Sequence, residues 1–464
     1  MPFWTDHILI KTKFKEFCTM LLISPFDKKF SQSRVGERYT RIFRTVLSSL
    51  AIRGFGIVAA VVTTPLTLGY LGADRFGIWM TINSITALLS FADFGVGGGL
   101  LNAISKADGR GDRVEAQRAV SNAFVVLVIV ALILATCSLL AYEWLSWGTI
   151  FDLSNEGEVD EVRNAVAILL ACTVVSLPLS TVHRVQHGFQ EGLQNNLWQA
   201  VINIGSTVGI ICAAFSQASL PWLVLASSGV PVLVTLVNCI YEFYFNRQWL
   251  RPRISFFSSK IARDFLQTGS YFAALQLLAF VGFFSDNFVI GKILGSGAVA
   301  AYAVVFKLYS TIFIVQFIMV PLWPALNETI SRGELSEARQ IYERAKIYCL
   351  IGGVVIASIL IIFGRPLIEV WVGGDFIPSW ALITGFAVWS LIASYYATIS
   401  ALLSGHSLNK LLRVICAAAI ISFVLKIIMI TWFGVSGAIW AAVLGYGILI
   451  FYARQLTQRV LGYL

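Results

Sequence analysis

Four charged residues stand inside otherwise apolar stretches of this 464-residue chain: Arg53, Asp93, Asp286 and Lys307. Charge inside hydrocarbon is costly, so such residues face a partner or a water-filled cavity. Arg53 lies about two turns into the first apolar stretch, and Asp93 about two turns from the end of the second. Their depths match, as do those of Asp286 and Lys307, so each pair either neutralises itself or lines one vestibule. The two cations suit an anionic substrate, above all a phosphate, which arginine holds with a rigid fork and lysine meets as a point charge. The two carboxylates, Asp93 and Asp286, suit charge pairing or ion coupling. Asn83, Gln276 and Gln316 offer amide groups that match sugar hydroxyls, as do Ser84, Asn102, Asn203 and Asn287 with their own polar groups. Each of these serves equally well as a polar contact between helices. Lys426 reads as a snorkelling lysine whose stem reaches an interface.

Other chemistries find no support in the residue pattern. There is no HExxH, GxSxG, Walker A or dinucleotide-binding glycine pattern, so no catalytic residue and no cofactor is expected. His183 and His187 are four apart, but no carboxylate set surrounds them, and no metal is expected. The seven cysteines form no CxxC pair and read as small buried hydrophobes. Asp152, Glu156, Glu158, Asp160 and Glu161 fit no calcium loop and read as a solvated acidic loop.

The elements that must hold these residues are membrane helices. The chain is 57% hydrophobic and only 13% charged, with a mean hydropathy of +0.78. A soluble protein of this size needs a more charged surface. Apolar runs of about 20 residues recur along the chain, the length that crosses a bilayer as a helix. The expected fold class is an all-α integral membrane protein. Twelve spans are predicted, at roughly 46–68, 76–101, 118–141, 164–183, 197–215, 221–244, 265–290, 298–325, 345–363, 378–402, 409–431 and 435–453. The net charge of +9 does not point to nucleic acid, because the basic residues collect in alternate loops. With both termini in the cytoplasm, inward loops hold Lys106, Arg110, Arg113, Arg118, Arg184, the Arg247–Arg263 group, Arg332, Arg339, Arg344, Lys346, Lys410 and Arg413. Outward loops hold only Arg75, Arg163, Lys292 and Arg365, a strong positive-inside bias. Residues 1–45 interleave basic and aromatic side chains, the pattern of an interfacial segment or a cytoplasmic tail.

The chain also repeats itself. Arg110-Gly111-Asp112-Arg113-Val114-Glu115-Ala116 recurs 222 residues later as Arg332-Gly333-Glu334-Leu335-Ser336-Glu337-Ala338. Leu71-Gly72-Ala73 recurs as Leu294-Gly295-Ser296 at nearly the same offset. Two copies in the same orientation imply two pseudo-symmetric six-helix bundles, the plan of many secondary transporters. The expected organisation is a basic cytoplasmic segment, 1–45; an N-terminal bundle, 46–246; a cytoplasmic linker, 247–264; and a C-terminal bundle, 265–464.

Thr64-Pro65-Leu66 through Leu71-Gly72, Phe76-Gly77-Ile78-Trp79 and Asp93-Phe94-Gly95-Val96-Gly97 carry a resemblance to a known family. The chain resembles the bacterial O-antigen and exopolysaccharide flippases of polysaccharide biosynthesis, within the multidrug/oligosaccharidyl-lipid/polysaccharide exporter superfamily. The resemblance spans about residues 42–455 and is strongest over 60–120. It implies a V-shaped pair of bundles around a central cavity, in the bacterial inner membrane. It further implies a polyprenyl-diphosphate-linked oligosaccharide as substrate, destined for lipopolysaccharide or exopolysaccharide and flipped to the outer leaflet by alternating access. Expected partners are that lipid-linked oligosaccharide and the bilayer, with polymerase or glycosyltransferase machinery as a further candidate. A cation-coupled multidrug or metabolite antiporter of the same fold is the alternative. The assignment of Arg53 and Lys307 to the diphosphate rests on their depth, not on a family motif.

Overall fold

The computed structural model describes residues 34–89, 91–263, 277, 278, 280–282, 285–310, 329, 330, 334–373, 377–403 and 408–461. The chain is a multi-pass helical membrane protein. Nine helices among the described residues are long and apolar enough to cross a membrane, and Ser296–Tyr309 is a shorter apolar helix.

Helix α1, Arg34–Leu89, holds the first predicted span and most of the second, bent where Gly72 leaves helical geometry at φ 73° and ψ 172°. Helix already begins at Arg34, inside the segment expected to be a separate tail. The second predicted span is broken: Phe91–Gly95 form turns, with Phe94 and Gly95 at positive φ. Helix α2, Val96–Arg110, resumes after that break and ends at Gly111, whose N–H returns to Ala107 and Asp108. Asp112 then caps α3, Arg113–Trp144, its side chain accepting the Glu115 N–H at 2.9 Å. Such a cap satisfies a backbone donor that the first helical turn leaves open.

The acidic stretch after α3 is largely not a loop. Asn155 caps α4, Glu156–Leu179, and Glu156 and Glu158 sit in its first turn, where carboxylates oppose the positive end of the helix dipole. Glu161 is tied down, bonded to Arg75 and accepting the Leu220 N–H at 2.7 Å. The amphipathic stretch that follows is helix α5, Thr181–Gly188. Helix α6 is Gly192–Phe215. Helix α7, Leu220–Asn246, carries π-helical turns at Leu225–Gly229 and Tyr241–Asn246. Pro231 falls just after the first of these, where the widened turn accommodates its missing N–H.

The linker after α7 is strapped to α3. Asn122 accepts the Ser258 N–H at 2.8 Å and donates to the Phe256 carbonyl at 3.0 Å, and Ser121 accepts the Arg253 N–H at 3.1 Å. Arg247, counted among the basic residues of an inward loop, is paired with Glu191 and with the fully buried Glu242.

In the second half, α8 is Asp286–Leu294 and α9 is Ser296–Tyr309. Helix α10, Leu335–Val372, begins after Glu334, as α3 begins after Asp112. Three further helices are α11, Trp380–Leu403; α12, Leu408–Phe433; and α13, Val435–Val460. Most of the remainder of the predicted seventh and eighth spans lies outside the described residues, as do Gln276, Gln316 and the Arg332-Gly333 half of the repeated loop.

The repeat is visible in the backbone. Gly295 stands at φ 86° and ψ 169°, the conformation of Gly72 in the other half. The two motifs also meet. The Ser296 hydroxyl donates to Asp74 Oδ1 at 3.1 Å, and a Cβ on Gly77 would come within 1.8 Å of the Ser296 carbonyl oxygen. Glycine is required there because two backbones touch. Nearby, Asn287 donates to Ser84 Oγ at 2.9 Å and Lys292 to the Thr149 carbonyl at 2.6 Å. At this glycine end one apolar core runs through both lobes, joining Phe76, Trp79 and Leu169 to Ile290, Tyr302 and Phe386. Toward the other end, which carries the basic loops, the cores separate. One lies among α2, α3, α5 and the linker; others lie among α10, α11 and α13. Two lobes joined at one end and split toward the other form the V.

Candidate functional site

Between the lobes lies a cavity of about 670 Å³ that contains both Arg53 and Lys307. One wall is α1, where Arg53, Ile57, Ala60 and Val61 recur three and four residues apart and so share a face. Asn203 of α6 adds an amide, and Leu367, Val370 and Trp371 of α10 form the opposite side. Trp371 also closes a contact across the lobes, its indole N–H donating to the Val61 carbonyl at 2.6 Å. Arg53 sits near the basic end. Lys307 sits deeper, donating from Nζ to Thr64 Oγ1 at 3.1 Å. Arg53 and Thr64 are eleven residues apart on one helix, so their backbone positions stand roughly 16 Å apart along the cavity wall.

The carboxylates are elsewhere. Asp93 pairs with Arg184 of α5 at 3.6 Å, and its other oxygen accepts the Gly95 N–H at 3.0 Å. The helix break at Phe91–Gly95 turns Asp93 toward α5, so the depth match with Arg53 does not make a pair of them. Asp286 does not pair with Lys307. It meets Lys426 Nζ at 2.6 Å and accepts the Tyr302 hydroxyl at 2.6 Å. Lys426 is fully buried and also donates to the Gly282 carbonyl and Ser285 Oγ, so it does not snorkel. Packing of α12 against α8 brings these residues together, a neighbourhood that depth along a helix does not encode.

Among the polar candidates, Asn83 is half-buried on the second arm of α1 and does not line the cavity. Ser84 and Asn287 are spent on the seam between lobes. His183 and His187 flank the Asn195 side chain at 2.7 and 3.0 Å. No group of three metal-ligating side chains occurs among the described residues. Sequence reasoning missed Thr64 and Trp371. Thr64 lies on the Arg53 face of α1, a signal available from spacing. Trp371 was hidden because Arg365 and Pro366 read as a loop; Arg365 instead lies over the Trp380 ring at 5.6 Å while the helix continues to Val372.

The polysaccharide biosynthesis protein family matches residues 42–330, more than half of the chain. The chain belongs to the polysaccharide biosynthesis protein family. No curated protein matches it. Solved structures share the fold of this family member at low identity. An inward-facing multidrug resistance MATE family transporter of the MOP superfamily is 15% identical, over 88% of this chain and 94% of the other, with a TM-score of 0.69. An outward-facing structure of such a transporter is 14% identical, over 90% and 96%, with a TM-score of 0.65. A MOP superfamily transporter from Pyrococcus furiosus, whose reversed binding-pocket polarity suggests a different function, is 13% identical over 90% and 96%, with a TM-score of 0.63.

Proposed function

We propose that this polysaccharide biosynthesis family member flips a polyprenyl-diphosphate-linked oligosaccharide across the bacterial inner membrane, from the cytoplasmic to the outer leaflet. One observation carries the reading: the interlobe cavity is lined by two cations and, among the described residues, by no carboxylate. Lys307, whose ammonium meets a hydroxyl and two rings and no carboxylate among the described residues, would repel an organic cation and attract a diphosphate, the more so in a low-dielectric cleft. The antiporter alternative needs a carboxylate facing the cargo, and Asp93 and Asp286 are each engaged by a basic side chain instead.

The geometry supports a sequence of events. The basic end faces the cytoplasm, following the positive-inside rule. Substrate enters there, its lipid tail remaining in the bilayer while the charged head, which cannot cross hydrocarbon unaided, takes the cavity. Arg53, nearer the basic end, receives the diphosphate first, and Lys307, deeper in the cavity, receives it second. Asn203 and Ser310 offer hydrogen bonds to the sugars. The bundles of residues 46–246 and 265–464 then rock about the site, joined by the strapped linker 247–264, with residues 1–45 cytoplasmic. The polymerase or glycosyltransferase that handles the sugar is a candidate neighbour at either face.

The test is deletion of the gene followed by profiling of lipid-linked sugars in each leaflet. Inner-leaflet accumulation with intact synthesis is expected, rescued by the wild type but not by Lys307→Ala protein present at normal level. Unchanged leaflet distribution would refute the proposal.

A further inference from the structure

We infer that Lys307 is a latch between the lobes as well as a phosphate ligand, and that the substrate's diphosphate releases it. The inference rests on the reading of Lys307 as a substrate-binding cation.

Lys307 belongs to α9 of the C-terminal lobe, yet the observed partners of its ammonium all belong to α1 of the N-terminal lobe. Its ammonium donates to Thr64 Oγ1 at 3.1 Å and lies over the rings of Phe76 at 5.4 Å and Trp79 at 5.7 Å. Thr64 gives its own hydroxyl proton to the Ala60 carbonyl at 2.6 Å, so Oγ1 meets the lysine as an acceptor. Thr64 and Phe76 are fully buried and Trp79 nearly so. No carboxylate pairs with Lys307 among the described residues.

The latch is therefore strong enough to hold an empty cavity shut and weak enough to be outcompeted. A neutral hydroxyl and two π faces are modest partners for an ammonium. A phosphate oxygen is a charged acceptor, and hydrogen bonds to charged acceptors are shorter and roughly twice as strong. A diphosphate that reaches the deep end of the cavity takes the ammonium, and the lobes lose one of the contacts that close the glycine end. The other seam contacts, Asn287 with Ser84, Ser296 with Asp74 and Trp371 with Val61, do not involve the substrate's ligands. Binding of cargo thus lowers the cost of opening outward, and an empty carrier stays closed. Thr64, Phe76 and Trp79 act as positioning residues, through Lys307.

The experiment uses the full chain in lipid nanodiscs, with native cysteines replaced and spin labels at Glu158→Cys and Trp432→Cys, both exposed at the glycine end of their lobes. Pulsed electron–electron distances are recorded alone, with undecaprenyl diphosphate, and with uncharged undecaprenol. The wild type is expected to show a short distance that gains a longer population only with the diphosphate. Thr64→Val and Thr64→Ala should show the longer population without any probe and bind the diphosphate about tenfold more tightly, since the ammonium no longer leaves a hydrogen bond behind. Thr64→Ser, which keeps the acceptor, should behave as wild type. Folded Thr64→Val and Thr64→Ala proteins that stay closed without probe, while the wild type still answers the diphosphate, would overturn the latch. A wild type that ignores the diphosphate, with Thr64→Val nevertheless open, would refute the substrate class and the trigger with it.

Discussion

Replacing Lys426 by methionine should destabilise the protein severely, and replacing Asp286 by leucine in the same chain should recover most of the loss. The ammonium is fully buried and stands 2.6 Å from Asp286 Oδ1. At an effective dielectric constant of about 20, that separation corresponds to roughly 6 kcal/mol of gross attraction, set against the cost of desolvating both ions. Taking away one partner removes the attraction and leaves the desolvation cost. The expected penalty for the single variant is about 3–5 kcal/mol, with the Tyr302 hydroxyl left as the carboxylate's remaining hydrogen-bond donor. An apolar pair of similar volume restores packing without a buried charge, so the double variant should come within about 1–2 kcal/mol of wild type. Stability is read as the temperature at which detergent-solubilised protein loses its monodisperse elution peak, alongside membrane abundance. Transport provides the second readout. Neither residue lines the cavity, so the double variant should retain export. A single variant as stable as wild type would refute the buried-pair reasoning. A stable double variant that has lost export would show that the pair couples an ion and would revive the antiporter reading.

Three further outcomes are expected. Arg53→Ala should abolish export at normal abundance and Arg53→Lys should keep part of it; adding Asp93→Ala should not rescue Arg53→Ala, because Asp93 pairs with Arg184, and rescue would contradict that geometry. Gly77→Ala should lower the melting temperature or force the glycine end apart, since its Cβ would lie 1.8 Å from a backbone oxygen; a variant with wild-type stability and wild-type spin-label distances would refute the close approach. A cytoplasm-specific reporter should be active after Ala107 and after Glu334, and a periplasm-specific one after Asn155; cytoplasmic activity at Asn155 would invert the proposed orientation.

The sequence by itself determined the class of solvent and the plan of the fold. Hydrocarbon leaves helices as the way to satisfy every backbone group within one segment, so apolar runs of spanning length can be read directly. The duplicated Leu71-Gly72 and Leu294-Gly295 motifs also carried their meaning locally, because a backbone at φ near +80° demands glycine wherever it occurs. Arg53 and Lys307 were legible as charges that must face either a partner or a cavity, since any charge so deep must face something polar, and both line the interlobe cavity. Their partners were not legible. Whether Asp286 meets Lys307 or Lys426 depends on which helix packs beside α8, and whether Asp93 faces the cavity depends on the turn at Phe91–Gly95. Those are contacts between segments far apart in the chain, and helical periodicity carries the face of a residue without naming its neighbour. Trp371 and Thr64 became part of the site for the same reason: only the approach of α9 and α10 to α1 gives them something to hold.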